Sequence, residues 1–166
     1  MTHNLALYTF GQFLKPSEDP ANDGFHERND PLFELADATP GLIARSGYPD
    51  EPQTESWGEQ VYPRFYRDNG DGWAPSTLSV WADAASAKAY IYRGPHLEAM
   101  RLGRSWFVEP SWPPLVLWWI AKDYRPTWAE GCTKLEHLQD HGPTEAAFTF
   151  RDWYSLPDPL QSDSKS

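Results

Sequence analysis

Cysteine, basic residues and long apolar runs are scarce in this chain of 166 residues. The single cysteine, Cys132, excludes an intramolecular disulfide, and a cytoplasmic location is then the default expectation. Only 14 Lys and Arg stand against 24 Asp and Glu, and the net charge of −10 disfavours binding to a phosphate backbone. No stretch approaches the ~18 consecutive apolar residues of a membrane span, and no secretory leader is visible at Met1. We therefore expect neither nucleic acid nor a membrane as a partner.

Aromatic residues, in contrast, are abundant: nine Trp, eight Tyr and eight Phe. Burial of so many large rings offsets the entropy that folding costs, so most of the chain is expected to be ordered. The length favours one domain with a real core. We predict a single domain over residues 1–156, followed by a disordered polar tail at 157–166.

Hydrophobic periodicity predicts alternating strands and helices along this domain. The predicted strands cover residues 5–10, 42–48, 77–82, 115–120 and, as a short last strand, 148–150. The predicted helices cover 25–36, with a kink or a break near Pro31; 83–107, interrupted at Gly94-Pro95; and a segment from Thr127, where Glu130 completes a capping box.

Residues 49–75 do not fit this alternation. The stretch is rich in Pro, Gly and acidic residues, yet it carries several aromatic residues, and a structureless loop of this length is unusual. It is therefore predicted either to form a hairpin strand at 60–66 or to fold over a pocket as a lid, capping it with Trp57 or Trp73. The acidic run at 68–72 lacks the ligand spacing and terminal Glu of a calcium loop, so it is read as a plain turn.

The order of elements predicts an α+β, ferredoxin-like domain built from two βαβ-type halves. The strand at 115–120, Leu-Val-Leu-Trp-Trp-Ile, is apolar on both faces, so both faces need cover. A second copy of the sheet would supply the cover that one helical layer leaves out. We therefore predict a homodimer with two-fold symmetry.

Six motifs in sequence order resemble one known family. They are Leu78-Ser-Val-Trp81, Tyr92-Arg-Gly-Pro-His96, Arg104-Ser-Trp-Phe107, Leu115-Val-Leu-Trp-Trp119, Arg125-Pro-Thr127, and His141-Gly-Pro-Thr144 with Ala147-Phe-Thr-Phe150. The chain resembles, over about residues 4–150, a bacterial and fungal family catalogued only as a domain of unknown function. That family is similar to the dimeric α/β-barrel superfamily of the antibiotic-biosynthesis monooxygenases.

This resemblance implies a dimeric α/β barrel more strongly than it implies a reaction, because the superfamily includes cofactor-free oxygenases, isomerases, haem proteins and binding modules. Two departures matter. Asp123-Tyr124 stands where family members usually have Gly-His, so a histidine role there is absent or passed to Tyr124. The 49–75 stretch is also longer and more aromatic than the usual connection.

His96 is the leading candidate for chemistry. With Met100, Gly103 and Phe107 it forms one stripe of a helical wheel, so it is expected beside an apolar, aromatic lumen. There it can act as general acid or base near neutral pH. The alternative is a structural histidine that is hydrogen-bonded to the backbone.

Other polar residues are candidates for holding the substrate. Tyr92, four residues before His96, is expected to orient it, and Tyr124 is a second catalytic candidate. Arg101 and Arg104 can bind a carboxylate or phenolate; the alternative, which such a charged stripe favours, is a solvated or salt-bridged face.

Three tryptophans, Trp81, Trp118 and Trp119, are expected as apolar walls of the substrate pocket together with Met100. No metal site is predicted. His137 and His141 are spaced to chelate, but they lack a third ligand nearby, and His141-Gly-Pro is typical of a helix C-terminus.

Three functions remain open from the sequence. The first is an enzyme that acts on a hydrophobic aromatic or polyketide-like molecule without an organic cofactor, by oxygenation, cyclisation or isomerisation. The second is a haem protein with His96 as the axial ligand. The third is a non-catalytic ligand-binding module.

Overall fold

The computed structural model describes residues 3–49, 51, 54–92 and 94–152. Its strands are β1 (His3–Phe10), β2 (Leu42–Arg45), β3 (Ser76–Trp81) and β4 (Leu115–Ala121). Its α-helices are α1 (Asp23–Asp37), α2 (Ala84–Ile91), α3 (Gly94–Leu102) and α4 (Trp128–His141), and single 3-10 turns lie at Pro20–Asn22 and Gly103–Ser105. The predicted tail at 157–166 and the domain end at 156 lie outside the described residues.

The four strands form one open sheet in the order β2-β3-β1-β4, with every neighbouring pair antiparallel. The strand β1 lies between β3 and β4 and pairs with both. Its Leu5 lies opposite Trp81 of β3 on one side and opposite Trp119 of β4 on the other. The helices α1 and α2–α3 connect strands that are not adjacent. The predicted α+β class is confirmed, with a four-strand antiparallel sheet.

Both faces of this sheet are buried by the same chain. The first face, which carries Ala6 and Tyr8, packs against Trp128 and Leu135 of α4 and against aromatic residues of the 57–66 stretch. The second face packs against α2 and the 147–150 segment; its members include Leu5, Leu7, Ala87, Ile91 and Phe148. Strands covered on both faces are expected to be apolar throughout, as β4 is.

This packing removes the premise of the sequence argument for a homodimer. That argument assumed that one helical layer leaves a face of β4 uncovered. Val116 and Trp118, on the first face, are at most 2% exposed within a single chain. The long aromatic segment and α4 supply the cover that a second copy was expected to give, and the homodimer itself stays a prediction.

The start of α4 and its distance from the sheet are set by particular residues. The backbone N–H of Glu130 donates to Oγ1 of Thr127 at 3.2 Å, so the predicted N-cap is present. One turn further, a Cβ on Gly131 would lie 2.7 Å from Cδ2 of buried Tyr8. Glycine at 131 therefore lets the helix approach β1 closely.

Several predicted elements are wrong. Of the two alternatives for the 49–75 stretch, the hairpin strand does not form: residues 60–66 pack Val61, Tyr62, Phe65 and Tyr66 onto the first face of the sheet. The last strand at 148–150 reduces to a single bridge between Phe148 and Leu117.

The first helix is one element from Asp23 to Asp37 rather than two short helices at Pro31. Pro31 is exposed, so water can hydrate the Glu27 carbonyl that loses its helical partner. Within the ranges that the structure describes, no helix is both long enough and apolar enough to cross a membrane.

Candidate functional site

A large cavity of about 920 Å3 lies at one end of the strands, where β1 ends and where β3 and β4 begin. The helices α1 and α3 and the turn after α3 close it from one side. Its wall is rich in aromatic residues, which include Phe25, Phe33, Trp73, Tyr90, Trp106 and Phe107. A cavity of this size and character suits an apolar small molecule.

Phe13, which is 1% exposed, braces this wall from behind. Its ring stacks on Phe107 with centroids 5.4 Å apart, and it meets Phe25 edge-on at 5.1 Å and Trp73 at 5.7 Å. These ring contacts join three residues of the cavity wall to one buried ring behind them. Of the two tryptophans predicted to cap the pocket, Trp73 lines the cavity, whereas Trp57 lies in the core of the first face.

His96 lies on the cavity wall at the start of α3. A break between α2 and α3 places it there, because Gly94 has a φ of +57° and Pro95 then restarts the helix. The ring packs beside Tyr90, with centroids 5.0 Å apart.

The hydrogen bonding of His96 sets its tautomer. Nδ1 lies 3.0 Å from the carbonyl oxygen of Ile91, which can only accept, so Nδ1 carries the proton. Burial lowers the pKa of His96 below its ordinary value, and the bond to Ile91 offsets part of that shift. Neutral His96 therefore presents Nε2 as an unprotonated acceptor. No described group donates to that nitrogen.

The four residues of the predicted stripe all reach the cavity, although the predicted helix over 83–107 ends at Leu102 and only His96 and Met100 lie on α3. Met100, Gly103 and Phe107 line the wall with His96, and Arg104 and Tyr92 line it as well. Tyr92 does not orient His96, since the Ile91 backbone does so; its ring meets Phe150 edge-on at 5.8 Å. Burial raises the pKa of Tyr92, so its hydroxyl stays protonated at neutral pH.

Other predicted site residues lie elsewhere. Tyr124 is 46% exposed, donates to Oε2 of Glu130 at 2.9 Å and does not line the cavity. Arg101 points away from the cavity on the exposed side of α3.

Of the three predicted wall tryptophans, Trp118 and Trp119 line neither cavity. Trp118 belongs to the core on the first face of the sheet, and its neighbour Trp119 packs beside Phe148 on the second face. Trp81 lies under Tyr90, with ring centroids 5.6 Å apart; it does not reach the large cavity but lines a small cavity beside it. Adjacent strand residues point to opposite faces, and both faces are filled with core.

Sequence reasoning missed the contribution of α1. Phe25, Arg28, Asn29, Leu32 and Phe33 line the cavity at helical spacing. Their pattern in the sequence predicts a buried helix face, and it does not distinguish a cavity wall from a packed core.

No cluster that could hold a metal ion occurs among the described residues. The rings of His137 and His141 lie 4.5 Å apart at the end of α4 with no further ligand beside them. The acidic run at 68–72 is a turn, in which Asp68 accepts from the backbone N–H groups of Gly70 and Gly72 at 2.7 and 2.9 Å. Those two bonds hold the pKa of Asp68 below its usual range.

Together, the fold and the site define an α+β protein with a large aromatic cavity and one neutral histidine on its wall. The chain belongs to the family described as domain of unknown function (DUF3291), whose model matches residues 4–164. This agrees with the predicted resemblance to a family without a known function. The placement in the monooxygenase-like superfamily stays a prediction. None of the curated proteins matches the chain.

Among solved structures, the chain is similar to PA3566 from Pseudomonas aeruginosa, with 10% identity over 75% of this chain and 98% of that one and a TM-score of 0.45. It is also similar to NE2512, a protein of unknown function from Nitrosomonas europaea (14% identity, 75% and 94% covered, TM-score 0.43). A third is a hydroxynitrile lyase from Passiflora edulis (16% identity, 74% and 97% covered, TM-score 0.38). At these TM-scores the similarities carry no argument about function.

Proposed function

We propose that this protein binds an apolar aromatic small molecule in the large cavity and transforms it by proton transfer, with neutral His96 as the base. One observation carries the proposal: a histidine with its Nδ1 proton committed to Ile91 lies on the wall of an aromatic cavity of about 920 Å3. Proton removal is a step shared by isomerisation, cyclisation and oxygenation of an activated ring. It requires a base and the exclusion of water, and no bound organic cofactor.

Two further wall residues fit this role. Arg104 makes no ion pair or hydrogen bond with the described residues, so its guanidinium is available to an oxygen atom of the substrate. The hydroxyl of Tyr92 is a second donor on the wall. Met100 adds an adaptable apolar contact.

Filling the cavity beside His96 tests whether it binds ligands. Ala99 lies on the wall three residues after His96, so Ala99→Trp places an indole next to the imidazole. We expect this variant to bind 2-ethylnaphthalene, an apolar two-ring probe, at least about tenfold more weakly by calorimetric titration.

Leu102→Trp is the matched control, because Leu102 is 37% exposed and does not line the cavity. It should bind the probe as the wild type does. Wild-type protein that gives no saturable binding of this or any similar two-ring probe rejects the proposed cavity function.

A haem-binding role is the second candidate, and it draws on the same geometry. Histidines that ligate metals usually donate their other ring N–H to a carbonyl or carboxylate, as His96 does. Titration with haemin separates the two functions. A Soret band that depends on His96, and that His96→Gln removes, would replace the proposed enzyme by a haem protein. We expect no such band.

The homodimer and the dimeric α/β barrel also stay proposals. Since both faces of the described sheet are covered, an assembly of two chains would have to use another surface. The proposed chemistry uses residues of one chain only.

A further inference from the structure

A small cavity of about 60 Å3 adjoins the large one. His96, Tyr90, Phe33, Tyr48 and Thr77 line both cavities, so they form the boundary between them. The small cavity has room for a water molecule or for one oxygen-bearing group of a ligand. It therefore forms a continuation of the proposed substrate site just beyond His96.

Arg45 lines the small cavity only, and its guanidinium is incompletely bonded. Nε and Nη2 donate to the two carboxylate oxygens of Asp37 at 2.9 and 3.3 Å. Nη1 is buried and has no acceptor among the described residues. A buried donor without a partner is costly, and native proteins keep such groups rarely, so Nη1 calls for an explanation.

Ser79 gives a second, independent indication. It also lines the small cavity, and its Oγ accepts from the indole N–H of Trp81 at 2.9 Å. Its own hydroxyl proton has no acceptor in the part of the chain that the structure describes. The small cavity thus offers two uncommitted donors, which is the chemistry of a site for an oxygen acceptor.

The charge of this site favours a neutral oxygen. Asp37 already balances the positive charge of Arg45, and Phe33 covers the guanidinium, with its ring centroid 4.5 Å from Cζ. A full anion would have no net countercharge here. A neutral carbonyl oxygen accepts from Nη1 without that cost.

We propose that the small cavity binds the carbonyl oxygen of an aromatic ketone substrate that has a C–H bond next to the carbonyl, through Arg45 Nη1 and Ser79 Oγ. This inference rests on the proposed function and names its substrate class. Nε2 of His96 takes a proton from the carbon next to the carbonyl, and the C–H electron pair moves onto the carbonyl oxygen as an enolate. The two donors stabilise this oxygen as its charge develops. Return of the proton from His96 to carbon completes an isomerisation or exchange without an oxidant.

A matched pair of probes tests the subsite: 2-acetonaphthone carries the carbonyl oxygen, and 2-ethylnaphthalene has the same carbon skeleton without it. We expect the wild type to bind the ketone about tenfold more tightly by calorimetric titration. Arg45→Met, which keeps an apolar stem against Phe33, should lose this preference while binding the hydrocarbon unchanged. Ser79→Ala should lose part of it.

Arg101→Met makes the same substitution on the exposed side of α3 and should keep the full preference. A further measurement needs the wild type alone. Hydrogen bonds to the oxygen weaken the C=O bond, so the carbonyl stretching band of bound 2-acetonaphthone should lie at lower wavenumber than that of the ketone in an apolar solvent. The absence of that shift overturns the subsite even if Arg45→Met fails to fold.

The subsite is also overturned if Arg45→Met keeps the preference, or if it weakens both probes equally. Wild-type protein that binds the hydrocarbon but does not prefer the ketone rejects the subsite and leaves the proposed function standing. Wild-type protein that binds neither probe rejects both.

Discussion

Replacing His96 by Gln is expected to lower the rate of proton transfer by about 10²–10⁴-fold, the usual span for a general acid–base residue. The amide of glutamine can still donate to the Ile91 carbonyl, as Nδ1 of His96 does at 3.0 Å, but it has no basic nitrogen. The melting temperature should therefore change little. The measurement is exchange of the methyl protons of 2-acetonaphthone in D2O, followed by NMR at saturating ligand.

The pH dependence of the same reaction checks the base more closely. Burial lowers the pKa of His96 below its ordinary value of about 6.5, and only the neutral ring accepts a proton. The rate should therefore rise with pH through a midpoint below about 6.5 and stay level at neutral pH. A midpoint at or above pH 7 would contradict a desolvated base.

Tyr124→Phe is the control for this experiment. Tyr124 is exposed and bonded to Glu130 outside the cavity, so its loss should leave the rate unchanged. If His96→Gln instead melts several degrees lower and keeps its rate per folded molecule, His96 is a structural hydrogen-bonding residue, and the proposed mechanism fails.

Trp128→Ala is expected to have the largest effect on stability, a loss of about 3–5 kcal/mol in the free energy of unfolding. Trp128 is fully buried where α4 meets the sheet. Its ring meets Tyr8 edge-on at 6.3 Å and stacks on Tyr48 at 5.8 Å. Removing the indole leaves a cavity between α4, the sheet and the segment that follows β2. Urea unfolding measures the loss.

The matched comparison is Tyr124→Ala, which truncates an exposed aromatic residue just before α4 and should change the unfolding free energy by less than about 1 kcal/mol. If Trp128→Ala were equally mild, α4 would not be the cover of the first face. The argument that a second copy of the chain covers that face would then apply again.

Local signals in the sequence predicted much of the fold. The strands β1, β3 and β4 follow from short apolar runs bounded by turns. The N-terminus of α4 follows from Thr127 and Glu130, and the break between α2 and α3 follows from Gly94-Pro95. In each case the determining interaction lies within a few residues along the chain.

The sequence also predicted one part of the site. The spacing of His96 and Met100 places both on one face of α3 whatever that helix packs against. The helix ends at Leu102, so tertiary packing brings Gly103, in the following 3-10 turn, and Phe107, beyond that turn, to the same wall. All four line the large cavity. The periodicity of a helix is a local property, so the pair His96 and Met100 could be named without knowing the tertiary structure.

Only the tertiary structure decided what each apolar face contacts. Trp118 and Trp119 are equally apolar in the sequence, yet α4 covers one, the 147–150 segment lies beside the other, and neither reaches the cavity. Arg45, an unremarkable residue at the end of an edge strand, becomes a cavity residue because Asp37 and Phe33 of α1 pack against it. Hydrophobic burial is non-directional. The sequence by itself therefore determined which residues are buried, and long-range packing decided which residues each of them contacts.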